Sequence, residues 1–454
     1  MKQITTVTLL WLCLGTQSSA QHPLDDLEEG HWMVLSENTM SDFDPCPTQD
    51  CAYSGAEGQS GAVDDWVGAA FATEHGALGS LVVWGGGHGG YWGSEVYVFD
   101  VDTRLWSRVS DPYPNGNACD MDTGLYPDGS PCPAHTYDAV EYHPGTNSFV
   151  TLAAETNHMG GYFNDTPSMF DLGAGTWRQG CQRPDGRGIT GAASAYDATR
   201  DLIWFIGAYN QRVASYDVDT CTWTAYEQYN VDIDVVAAID PGRDLLVTID
   251  GRGTQTVFVH DLADPGAGGV TITTTGDLEA QNQGANGFEW DPITEQFVAY
   301  VDGASVYTLR PPAGAWETEP WTWTRIDPAP TSTVVPSANG NGTYSRFRYV
   351  PAKNVFILLS ANDGPVWAYR LSPEIPPPRP DAGVVPRDGG MPGVDGGGSP
   401  DGGGGDAGGG ASGDGGCGCR VASHASSPAS AWAIVVLGAI LMFRRRRGSR
   451  RSRS

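Results

Sequence analysis

Positive charge is scarce in this 454-residue chain: 26 Lys and Arg stand against 54 Asp and Glu, a formal net charge of −28 at pH 7. The shortage is sharper in the main body. One Lys falls within the first twenty residues and eight Arg follow Cys417, and without those ends the net charge is −37. Such a surface excludes nucleic acid and anionic membranes as partners of the main body, and it is compatible with a divalent cation. Helical periodicity is missing between residues 21 and 371, so helices do not build this region. Long apolar segments occur only near the two ends of the chain. Histidine is thin, nine in all, with none from Asp261 to Leu371.

What the chain has instead is repetition. Residues 81–110 read as a β-branched apolar strand, the glycines Gly85, Gly86 and Gly87, a Val-Tyr-Val-Phe-Asp strand, a polar turn and a third strand anchored by Trp106. One four-stranded sheet cannot bury both its faces, so such a unit requires neighbours. An inner strand at Ala69-Ala70-Phe71 precedes this unit, which makes the Trp106 strand its fourth, and the pair of inner strand ending near Asp, His or Pro, polar turn and apolar strand recurs five more times, six copies in all. Taking Phe71, Tyr142, Tyr196, Ile239, Trp290 and Tyr349 as equivalent, the copies stand 71, 54, 43, 51 and 59 residues apart. Blades of roughly 40–50 residues with loop insertions fit that spacing. Trp106, Trp177, Trp223 and Trp323 mark a fourth, outer strand, with residues 270–272 in that place in the fourth copy. The sixth copy lacks an outer strand, whereas residues 30–35 supply a Trp strand with no blade of its own. The expectation is an all-β propeller of six blades over residues 21–371, closed when the segment around Trp32 completes the last blade.

The order of strand, glycine turn, Y-x-F-D strand and Trp strand resembles the kelch motif and, more loosely, the propeller domain of galactose oxidase. An oxidase of that type holds copper through two Tyr and two His, with a Tyr–Cys cross-link and a further domain delivering one His. This chain offers no cysteine beyond those expected in disulfides, no matching domain and no His in its last two copies, so the resemblance is expected to extend to the fold and not to that chemistry.

The ends carry address signals. Residues 1–20 have the basic start, apolar segment and small-residue exit of a secretory signal peptide. Export permits disulfides, and six cysteines lie in the propeller region. Fifteen pairings exist; proximity favours Cys46 with Cys51 and Cys119 with Cys132, which leaves Cys181 with Cys221. Residues 372–416 are a Pro, Gly and Asp-rich linker that has too few apolar groups to fold. Residues 417–454 follow with Cys417 and Cys419, an apolar segment at 429–443 and an Arg cluster. That tripartite tail resembles the MYXO-CTERM sorting signal of myxobacteria. The resemblance implies a transient inner-membrane anchor, cutting near the Cys pair by a sorting protease, and attachment at the cell surface or outer membrane.

Candidate ligand-binding residues gather in glycine and aromatic turns: His88 with Tyr91 and Trp92, His135 in an Ala-His-Thr-Tyr-Asp run, and His158 with Tyr162. His88, His135 and His158, with Asp120 and Asp122 of the loop between Cys119 and Cys132, are the candidates for a metal, although none stands at the spacing of a known ligand motif. Tyr91, Trp92, Tyr113, Tyr126 and Tyr162 are read as exposed aromatics suited to stacking on sugar rings. With no complete catalytic signature and no cofactor implied beyond that cation, the expected function is a surface-displayed module that binds or adheres to glycan or protein. The alternative is a carbohydrate-active hydrolase, lyase or metal-dependent oxidase with its site at the channel mouth.

Overall fold

The computed structural model describes residues 21–373 apart from 88, 153, 158–161, 185–189, 208–211, 229–232 and 252–253. The expected signal peptide, linker, Cys417, Cys419 and the 429–443 segment lie outside the described residues. Within them, six four-strand units form a ring. Blade 1 runs Ala69–Ala72, Ser80–Val83, Tyr97–Asp100 and Leu105–Arg108, and blade 2 runs Val140–His143, Ser148–Thr151, Ser168–Asp171 and Thr176–Gln179. Blade 3 runs Ala193–Asp197, Leu202–Ile206, Arg212–Asp217 and Thr222–Gln228; blade 4 runs Val236–Asp240, Leu245–Ile249, Val257–Asp261 and Val270–Thr271. Blade 5 uses Gly287–Asp291, Gln296–Tyr300, Val306–Arg310 and Trp321–Ile326, with Thr274–Gly276 added in parallel at its edge. Blade 6 has Phe347–Val350, Val355–Leu359 and Val366–Tyr369, and its outer strand is Trp32–Val34, antiparallel to Val366–Tyr369.

The core is six wedges, one between each pair of blades. Strand alternation sends successive side chains to opposite faces. In blade 1, Ala69, Leu81, Val83, Tyr97 and Phe99 pack with blade 6, while Ala70, Ala72, Val82 and Val98 pack with blade 2. The wedges taper, so the inner strands carry small residues such as Ala69, Ala70, Ala193 and Ala237. The outer strands fill the broad end with tryptophan. Trp177 of blade 2 meets Trp84 of blade 1 at 5.2 Å, and Trp32 meets Tyr300 of blade 5 at 5.6 Å. In blade 4, Ile272 takes this role beside the shortest outer strand.

A backbone device recurs in every blade. Five residues before the equivalent positions named above stand Trp66, Tyr137, Gly191, Asp234, Ala285 and Tyr344, and every one has positive φ, from 48° to 68°. This left-handed turn aims each inner strand into the ring. It also lets the Tyr137 N–H donate to the Trp66 carbonyl at 2.8 Å and Ala285 to Asp234 at 3.2 Å, handing one blade to the next. Only Gly191 of the six is a glycine, and a Cβ there meets the Asp234 nitrogen at 2.2 Å. Five residues after the same positions, Gly76, Asn147, Asp201, Asp244, Glu295 and Asn354 again have positive φ, making the turn between first and second strands. Between third and fourth strands, Asp100, Asp171, Asp217 and Asp261 each accept a backbone N–H at 2.8 Å, which accounts for the recurring Asp in the repeats.

All three expected disulfides are present: Cys46–Cys51, Cys119–Cys132 and Cys181–Cys221. The last ties the end of blade 2's outer strand to the start of blade 3's. Among the described residues, no helix is long and apolar enough to cross a membrane.

Candidate functional site

The inner strands run from the interblade connectors at one end of the channel to the first turns at the other, and the two ends differ. The connector end is closed across the axis. Tyr344 of blade 6 donates to Asp234 of blade 4 at 2.7 Å, and the Tyr137 ring of blade 2 stands edge-on to Tyr344 at 5.8 Å. Alternate blades thus send one side chain each to the centre, and all three are buried.

His135 belongs to this closed end. It is buried, its ring 4.9 Å from Trp66 and its Nδ1 3.4 Å from the Tyr137 hydroxyl. Gly86 donates to the Ala134 carbonyl at 3.1 Å, so the glycine turn after the second strand of blade 1 lies against the connector that carries His135. His88 and His158 themselves lie outside the described residues. Tyr162 opens the short strand Tyr162–Asn164, and its side chain is likewise not described.

Tyr91 and Tyr126 are not exposed aromatics. Tyr91 is 1 % exposed and Tyr126 2 %. Tyr91 and Tyr97 both donate to Oε1 of Glu95, itself buried, and desolvation drives the Glu95 carboxyl upward. The sequence pattern concealed this because Gly and aromatic residues in a turn look alike whether they face solvent or core. Trp92 is half-buried against the same core, and the Tyr126 hydroxyl donates to its carbonyl at 2.8 Å. Tyr113 stacks on Tyr126 at 4.8 Å. Asp120 and Asp122 are exposed, with Asp120 accepting the Asp122 N–H at 2.9 Å in a local turn. Among the described residues, the one grouping at ligand distance is Cys46, Asp50 and Cys51. Its cysteines are spent in a disulfide and leave no thiolate for a metal.

The other end of the channel opens into a cavity of about 540 Å³ to which all six blades contribute. Its walls include Phe71, Tyr142, Tyr196, Ile239, Trp290 and Tyr349, the equivalent positions of the repeat, with Pro144, Pro241, Pro292 and Pro351 beside them. The tyrosine hydroxyls are committed to the turns below: Tyr142 donates to Asn147 at 2.9 Å, Tyr196 to Asp201 at 2.7 Å and Tyr349 to Asn354 at 3.0 Å. The rings are thereby fixed as apolar wall.

Deeper in the cavity stand Glu141 of blade 2, Glu289 of blade 5 and Arg348 of blade 6. Arg348 donates to the carbonyls of Ala69 and Val140, each at 3.0 Å, and approaches Glu289 at 3.4 Å and Glu141 at 3.7 Å. One guanidinium thus links blades 1, 2, 5 and 6. Desolvation pushes Glu141 up to about 7 against the pull of Arg348, and it raises Glu289 in the same way. The repeat register points to the wall residues. It gives no sign that three positions one residue earlier are charged and converge, since those residues are 148 and 59 positions apart in the chain.

The class these features define is a six-blade β-propeller with one channel end closed and the other an aromatic-walled cavity. No family model matches the chain, and no curated protein matches it. A structural genomics protein of unknown function from Bacteroides thetaiotaomicron VPI-5482, solved at 1.70 Å, is similar over 75 % of each chain at 12 % identity and a TM-score of 0.44.

Proposed function

We propose that this chain is a kelch-like propeller, exported and displayed at the cell surface by a MYXO-CTERM-type tail, that binds a glycan or protein ligand. The observation that carries the binding reading is the cavity: its volume lies in the range of roughly 300–1,000 Å³ typical of ligand pockets, and aromatic side chains from five blades line it. Aromatic walls over an acceptor-rich floor suit a sugar, whose C–H faces stack on rings while its hydroxyls donate to carboxylates. The kelch subtype is supported by the Asp-capped turns and outer tryptophans that recur around the ring.

A surface enzyme acting on polysaccharide is the second reading, favoured by the placement of Glu141 in the cavity, where burial pushes its carboxyl up to about 7, a range suited to a general acid. Against it, both Glu141 and Glu289 are engaged with Arg348.

The test is a glycan array with purified protein, followed by titration of the best ligand against wild type and Trp290→Ala. Binding that weakens at least tenfold in Trp290→Ala, with the ligand recovered intact, supports the module. Binding indifferent to Trp290, or release of new reducing ends, overturns it.

A further inference from the structure

We propose that the cavity at the first-turn end of the channel recognises an oligosaccharide carrying a free, positively charged amino group. This inference rests on reading that cavity as the binding site.

The argument begins with donors and acceptors. A guanidinium has five N–H groups and a carboxylate about four lone-pair positions per group. Arg348 spends its donors on two backbone carbonyls and two carboxylates, all belonging to the channel wall. It is therefore a brace between blades and presents little to an anion. Arg348 reaches Glu289 at 3.4 Å and Glu141 at 3.7 Å, the Ser194 hydroxyl donates to Glu141 at 3.2 Å, and the backbone N–H groups of Trp290, at 3.3 Å, and Tyr349 donate to Glu289, which leaves lone pairs on both carboxyls for further donors. The floor is rich in acceptors and calls for donors from the ligand.

Charge points the same way. Among the described residues, Glu74, Glu141, Asp197 and Glu289 line the cavity against one cation, Arg348. Asp197 is answered from outside by Arg200 at 2.8 Å, and Glu74 stands exposed. The two Glu on the floor still outnumber Arg348. Among the described residues, the charged and polar groups facing Glu141 are Arg348 of blade 6, Glu289 of blade 5, Ser194 of blade 3 and Asp138 of the connector leading into its own blade. Burial pushes both floor carboxyls upward, so each holds its proton more readily while the cavity is empty, and an ammonium placed against them would draw them back to the ionised form. An ammonium would supply the missing positive charge, and the surrounding rings of Phe71, Tyr142, Tyr196, Trp290 and Tyr349 offer it π faces.

Size selects the carrier. A lysine side chain would fill a small part of about 540 Å³, whereas short oligosaccharides occupy pockets of this order. The strongly acidic protein as a whole, at −28, also draws a cationic glycan toward the mouth.

The experiment titrates the full-length protein at neutral pH with a glucosamine tetramer and, separately, its fully N-acetylated counterpart. The expected result is binding of the amine form at least tenfold tighter than the acetylated form. Glu289→Gln should remove most of that difference, Glu74→Gln at the exposed rim should reduce it two- to threefold, and Trp290→Ala should weaken both ligands. Melting curves establish that each variant is folded, and the rim variant keeps the test valid if Glu289→Gln is not. Equal affinity for the two tetramers, preference for the acetylated one, or no binding of either overturns the inference. If both tetramers bind equally and Trp290→Ala abolishes both, the cavity remains a glycan site and only the ammonium reading falls.

Discussion

At the scale of the residue, the same six positions that set the repeat in the sequence wall the cavity. Phe71, Tyr142, Tyr196, Ile239, Trp290 and Tyr349 are legible because each closes an inner strand ahead of a turn and keeps one spacing to it. The charged trio one residue earlier is not legible. Glu141, Glu289 and Arg348 interrupt a row otherwise filled by alanine, and in one dimension they read as ordinary surface charge. Their meeting has a consequence for stability. In the folded protein Glu141 keeps its proton until about pH 7, whereas unfolded it ionises near its ordinary value of 4.5. The folded state therefore binds more protons between those values, and stability drains away as pH rises through them, by at most about 3 kcal/mol for this one group. Glu141→Gln removes that loss. The melting temperature of the variant relative to wild type should climb between about pH 5 and about pH 8; a flat or falling difference would refute the buried, proton-holding carboxyl.

At the scale of the element, the decisive strand is Trp32–Val34. It pairs Trp32 with Tyr369 and Val34 with Trp367, and the Trp32 ring lies 4.8 Å from Tyr369 while its Nε1 donates to Ala304 at 2.8 Å. Arg370 fastens the preceding segment through the carbonyls of Leu24 and Leu27, each at 2.6 Å. Counting strands was enough to expect this closure, because the sixth copy lacks an outer Trp strand and residues 30–35 have one to spare. Deleting residues 21–36 should leave blade 6 with three strands and expose the ladder edge of Val366–Tyr369 to other chains. Size-exclusion chromatography should show aggregation. The milder Trp32→Ala should lose about 3–5 kcal/mol in denaturant unfolding, as loss of a buried indole generally does. A monomeric, fully stable deletion variant would contradict the closure. Other elements resisted sequence reading. The hairpin of Ala154–Asn157 and Tyr162–Asn164 and the parallel strand Thr274–Gly276 decorate single blades and carry no repeat signal.

At the scale of the whole molecule, the propeller is one part of a chain whose ends bear on where it works. Our reading of the tail as a sorting signal predicts that the Arg cluster is removed on the way to the surface, since an apolar segment of fifteen residues is shorter than the roughly 20 of a stable span. Mass spectrometry of surface protein should find a C-terminus near Cys417, and replacing Cys417 and Cys419 by Ala should hold the uncut chain in the inner membrane. Surface protein that still carries Phe443 and the Arg cluster would replace the sorting signal with a plain anchor.

Periodic information was written in the sequence itself: six blades, outer tryptophans, Asp-bearing turns, closure by the first strand and the pairing of six cysteines by proximity. These follow from local rules, because a strand, a turn and a nearby cysteine each act over a few residues and repetition amplifies their signal. Which channel end is open, and what lines it, was decided only by the tertiary structure. Tyr137, Asp234 and Tyr344 close one end, and Glu141, Glu289 and Arg348 charge the other, because closing the ring brings to the axis side chains from blades far apart in the chain. No local pattern encodes that convergence, since each residue's partner is set by the angle between blades rather than by its neighbours in sequence.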